Sequence, residues 1–174
     1  TSIGELAGDA HTTGAANVAI GYNALSANTT GSQQVAIGAD ALAANTTGTI
    51  NTALGHNALK TNTTGDGNVA LGRNTLYTNA TGDYNVAIGY DCLFYNTVDN
   101  NVAIGHEALY TNSTGGNNTA VGKSALKLNS TGANNTAVGY QALDANTTAD
   151  RNTAIGLQAL TTNTTGANNT AVGT

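Results

Sequence analysis

The glycine that closes each N-[TV]-A-[VIL]-G string falls at Gly4, Gly21, Gly38, Gly55, Gly72, Gly89, Gly105, Gly122, Gly139, Gly156 and Gly173. Nine of the ten intervals are 17 residues and one is 16. A fixed period through a whole chain means that each unit buries its apolar face only against its neighbours. Residues 1–174 therefore read as a single repeat array, with the 16-residue unit at 85–100. The chain enters and leaves the array mid-unit, so it is expected to be a fragment of a longer array or an open-ended segment that stacks end to end.

Written from its asparagine, the unit is N-[TV]-A-[VIL]-G-x-x-A-L-x-x-N-T-T-G-x-x. The first four residues alternate with period two and carry β-branched side chains, which predicts a short strand. Asn-Thr-Thr-Gly is turn chemistry. The A-L-x-x-N stretch between them fits a second strand or a tight helical turn. Seventeen residues cannot hold two helices with their connections, and the Asn, Thr and Gly content opposes helix. The expected fold is all-β: a parallel β-solenoid or β-roll of about ten coils, each adding about 4.8 Å.

Stacking in register turns every repeat position into a column. Two aliphatic columns are the expected core. One precedes the glycine (Ile20, Leu54, Val121, Val138, Ile155), and the other is the leucine four residues after it (Leu25, Leu59, Leu126, Leu143, Leu160). The turn asparagines Asn28, Asn45, Asn62, Asn79, Asn96, Asn112, Asn129, Asn146 and Asn163 then form an amide ladder from coil to coil. Two aliphatic side chains per coil make a sparse core. In the strand Val or Ile points one way and Ala the other, so a second surface can be covered. The expected state is a homo-oligomer, a trimer with Ala near its axis, or else a polymer.

Charged residues are only 9% of the chain and the net charge is −5, so there is no basic footprint for nucleic acid. No apolar run approaches the ~20 residues of a membrane span, and membrane insertion is not expected. Cys92 stands in a column otherwise filled by Ala24, Ala58, Ala108 and Ala142, and reads as a buried small residue. His56 and His106 share a column three coils apart, and His11 replaces a ladder asparagine. These cannot converge on a metal, whose ligands lie about 2 Å from the ion. No Ser/His/Asp grouping recurs. The chain is expected to be no enzyme and to carry no cofactor or metal.

Two features admit two readings. Eight ladder asparagines (all but Asn96), and Asn117, Asn134 and Asn168, head Asn-x-Ser/Thr sequons. Turn and ladder chemistry produces such strings by coincidence, whereas a glycan needs the amide to face outward. In mid-array Tyr77, Phe94 and Tyr110 share one column, with Tyr84, Tyr90 and Tyr95 nearby. Elsewhere that column holds Lys60, Lys127, Asp144 and Thr161, so it faces solvent. The rings either stack to steady the shortened unit or form a stripe that grips a cell-surface glycan or another partner.

The string NVAIG at 17–21, 85–89 and 101–105 resembles the core of head repeats in trimeric autotransporter adhesins. NTAVGYQAL at 135–143 is similar to repeats of bacteriophage tail fibres and bacterial surface fibre proteins. The resemblance runs through the whole chain. It implies a parallel β-roll of three chains and an extracellular or virion-borne fibre, shaft or head, that attaches to a cell surface or receptor. Two further readings of the residues are an extracellular filament of subunits stacked end to end and an ice-binding solenoid that uses its Thr-rich turns.

Overall fold

The structure, a computed structural model, describes residues 1–173, which form a parallel β-solenoid with no helix among them. Its strands are β1 (Ser2–Ile3), β2 (Val18–Ile20), β3 (Val35–Ile37), β4 (Thr52–Leu54), β5 (Val69–Leu71), β6 (Val86–Ile88), β7 (Val102–Ile104), β8 (Thr119–Val121), β9 (Thr136–Val138), β10 (Thr153–Ile155) and β11 (Thr170–Val172). They make one sheet in chain order, each strand parallel to the next. The register is that of the repeat, with Ala36 opposite Ala53 and Ile37 opposite Leu54. Across the short unit Val86 still faces Val102. The missing residue is thus taken from a turn and the sheet is undisturbed.

Outside the strand the coil is neither a second strand nor a helical turn. It bends through left-handed residues, such as Asn23 at φ 57° and Leu25 at φ 54°. Along this path the N–H groups alternate between neighbours. Asn57 donates to Ala39 O of the preceding coil (3.0 Å), and Leu59 to Thr75 O of the following one (3.0 Å). Thr63 donates onward to Ala80 O (2.8 Å) and Gly67 back to Thr49 O (3.0 Å). Backbone pairing therefore runs round the whole circuit, and each coil needs neighbours of its own shape. Where the strand ends, Gly89 sits at φ 138°. A Cβ there would lie 2.5 Å from Gly105 O, so only glycine lets successive coils close up.

Leucine at positive φ costs roughly 1–2 kcal/mol. Its reward is position: the left-handed turn aims Leu25, Leu59, Leu126 and Leu143 into the coil, where each is fully buried. Leu160, in the last full turn, is half-buried. Burying such a side chain contributes about 1.5–3 kcal/mol. Facing the leucines are two alanine columns, including Ala87 and Ala108, both 0% exposed.

The aliphatic column before the glycine is not part of this core. Ile20, Val121 and Val138 are only half-buried, and Leu54 and Ile155 are 45% and 40% exposed. Strand alternation places Asn and Ala inward and Thr/Val and Val/Ile/Leu outward. With leucine filling the circuit, the inward strand position is alanine in every coil from Ala19 to Ala154, and the other small column takes alanine, Thr75 and Cys92. It follows that alanine cannot line an axis between chains; the outward aliphatic side is the surface left for that. Ala87→Leu should lower stability by about 1–3 kcal/mol through overpacking. Val86→Thr, a residue this column already holds at Thr52 and Thr119, should stay within about 0.5 kcal/mol. The two denaturation midpoints, compared at equal slope, check the inward and outward assignment.

Candidate functional site

Three columns carry what chemistry the solenoid has: buried amides, a group of rings, and an aliphatic face. The turn asparagines are buried, and their amides run from coil to coil. Asn45 Nδ2 donates to Asn28 Oδ1 (2.9 Å), Asn62 to Asn45 (2.8 Å), Asn129 to Asn112 (2.9 Å) and Asn146 to Asn129 (2.8 Å). Asn79, Asn96, Asn112 and Asn163 continue the series. The second hydrogen of each closes the turn, as from Asn62 to Gly65 O (3.1 Å).

A second ladder, at the residue before each strand from β2 on (asparagine in every coil but one, where Gln34 takes the place), is not visible as such in the repeat pattern. Asn51 Oδ1 accepts from the backbone N–H of Asn68 (2.8 Å), and Asn51 Nδ2 donates to Gly65 O (2.7 Å). The two ladders of one coil thus meet on one carbonyl. In the short unit Val98 O takes that role for Asn85 (2.8 Å) and Asn96 (2.7 Å). The hint in the sequence is that both asparagines recur with equal regularity. At the first coil His11 Nε2 accepts from Asn17 (2.7 Å) and Asn28 (3.0 Å), while its Nδ1–H donates to Gly8 O (3.0 Å). Asn17 Oδ1 accepts from Gln34 N–H and Asn28 Oδ1 from Asn45, so both amides must turn their nitrogens toward the imidazole.

The rings at 77, 94 and 110 do come together. Tyr77 lies parallel to Phe94 with centroids 5.0 Å apart, and Phe94 is 5.5 Å from Tyr110 at a tilt of 35°. Tyr95 meets Phe94 and Tyr110 edge-on. All three column rings are half-buried. Tyr77 and Phe94 cover a face of each other, and Tyr110 leans on Phe94. Tyr90 belongs to a separate stack with His106 (5.4 Å) and Arg73 (5.6 Å), and Tyr84 stands apart, 64% exposed, over Gly67.

Between the stacks runs a polar column in which Asn74 Nδ2 donates to Asp91 (3.0 Å) and Lys127 pairs with Glu107 (2.9 Å). Lys127 holds the Glu107 carboxyl below its usual range; the Asn23 amide, then Lys60, does so for Asp40. Both add stability at neutral pH that fades as pH falls through those lowered values, though pairs so exposed are worth ~0–1 kcal/mol. Burial raises Asp144, which acts in the opposite sense, and raises Tyr110 with help from Tyr95.

The outward side of the sheet is the third feature. Its two columns, from Val18 and Ile20 to Thr170 and Val172, contain only Val, Ile, Leu and Thr. Leu54, Ile104 and Ile155 are 45%, 37% and 40% exposed. No charge interrupts it over β2–β11.

Cys92 is fully buried, and burial pushes its thiol up to about 12. Among the described residues no three His, Cys, Asp or Glu side chains stand close enough to share a metal ion. No protein-family model, curated protein or solved structure matches the chain.

Asn62→Ala should cost at least about 2 kcal/mol, because Asn45 Oδ1 and one hydrogen of Asn79 are left buried without partners. Thermal melting of the purified variant measures this. The native Cys92 should resist an alkylating reagent at pH 8 and react only on unfolding, since the thiolate is the nucleophile; rapid labelling of folded protein would contradict its burial.

Proposed function

We propose that this chain is a segment of an extracellular attachment fibre, shaft or head, that assembles side by side with copies of itself. The observation that carries this reading is the charge-free aliphatic face. Nine steps of about 4.8 Å between β2 and β11 give it a length near 43 Å, and two columns give it a width of about 10 Å. Its footprint of ~430 Å² is that of the largest patch a monomer leaves on its surface, and such patches often mark interaction sites. A copy of the same chain offers the same coil spacing, so outward side chains can interdigitate at every level. The resemblance to adhesin and tail-fibre repeats supports three copies and an exterior location.

Attachment to a cell-surface glycan is assigned to Tyr84, which is 64% exposed and stands apart from both stacks, more than to Tyr77, Phe94 and Tyr110, which pack on one another and on Tyr95. Replacing Tyr77, Phe94 and Tyr110 by Thr removes four ring pairs and should lower stability by about 2–6 kcal/mol, while leaving adhesion intact. Loss of adhesion at an unchanged melting point would move recognition to the stack.

Sedimentation of the purified protein tests assembly. The parent should be an oligomer at micromolar concentration. Leu71→Glu with Ile104→Glu, both on the outward face, should give a monomer that keeps its sheet signal. A parent that is a stable monomer overturns the reading.

A further inference from the structure

Eleven asparagines head a sequon, and the fold divides them into two sets. Eight belong to the turn ladder. Seven of these, including Asn28, Asn62 and Asn129, are 0% exposed, and Asn163 is half-buried. Each spends both Nδ2 hydrogens: Asn129, for example, donates one to Asn112 Oδ1 (2.9 Å) and one to Gly132 O (2.8 Å). The other three, Asn117, Asn134 and Asn168, sit on exposed corners at φ 59°, 59° and 60°.

N-glycosylation and the ladder compete for the same atom. Transfer replaces one Nδ2 hydrogen with a bond to the anomeric carbon of an activated glycosyl phosphate. The phosphate leaves with the electrons of the broken C–O bond, and the proton goes to a base. A ladder amide so modified lacks one of its two donated hydrogens. Its sugar would also have to lie between coils about 4.8 Å apart, where there is no space. In the unfolded chain, by contrast, all eleven sequons are equally open. We propose that this chain is shaped for synthesis where no asparagine glycosyltransferase meets the unfolded chain, and that Asn117, Asn134 and Asn168 are the modifiable asparagines of the folded protein. The split rests on the ladder geometry and is independent of what the fibre attaches to.

The short unit supplies a control. Its ladder residue Asn96 is followed by Thr97 and Val98, which is no sequon, and its coil stacks like the others. The third sequon residue elsewhere, such as Thr30, Thr64 or Thr131, is an exposed threonine. Changing all eight to valine removes the ladder sequons and keeps the ladder.

Folded protein from cells lacking the transferase is first incubated with an oligosaccharyltransferase and a lipid-diphosphate-linked oligosaccharide, and glycopeptides are mapped by mass spectrometry. Glycan is expected at Asn117, Asn134 and Asn168 and at no ladder position. Ladder glycan on a chain that keeps its sheet signal, or bare corners, overturns the assignment. The parent is then secreted from N-glycosylating cells. Ladder-modified, protease-sensitive and retained chain is expected, with the eight-valine variant or blocked donor synthesis restoring folded product. Blocking the donor works on the parent sequence, so rescue is read free of any cost of the substitutions. A folded, secreted parent with a bare ladder overturns the proposed route.

Discussion

An amide between two coils is the interaction on which the rest of this structure depends. The coil is too narrow to hold much hydrocarbon, and a buried Asn side chain without partners would be costly. Stacked in register, each amide finds its donor and acceptor in the coils before and after it, as Asn62 does between Asn45 and Asn79. The asparagine before nearly every strand adds a second column that ties side chain to backbone. Along each ladder one partner is nearly always the same residue one turn away, and the other is a turn carbonyl. Any change of residue in one coil is therefore felt in the next, which explains why a string with so little chemistry is repeated so faithfully.

Because the interior is filled by amides, alanine and leucine, the larger β-branched side chains are left on the outside. This inverts the usual allocation and gives the sheet an uncharged face beside polar turns. A solenoid built this way is a rod with one uncharged side. Self-assembly along that side is a more economical account of the surface than chemistry at any single residue. The charged groups lie elsewhere, in pairs such as Lys60–Asp40 and Lys127–Glu107, where they keep the other sides in water.

The mid-array irregularity has a local explanation. One residue is missing from the turn after Asn96, yet the amide bonds there are made through Val98 O. Tyr77, Phe94, Tyr95 and Tyr110 pack against one another over the same coils. Rings packed on one another suit a brace better than a sugar platform.

The sequence by itself determined the architecture. The 17-residue period, the period-two alternation around NVAIG and the turn chemistry of Asn-Thr-Thr-Gly suffice for a parallel solenoid, its register and the turn-asparagine column, because in-register stacking forces identical residues together. It could not determine which side of the strand faces inward, since Ala19 and Ile20 are both apolar and a one-residue slip exchanges them. The tertiary structure decided that. Leucine enters from a left-handed turn that no propensity would assign to it, as at Leu25 and Leu126. Once it fills the coil, alanine and hydrogen-bonded asparagine stand opposite, and Ile and Val face out.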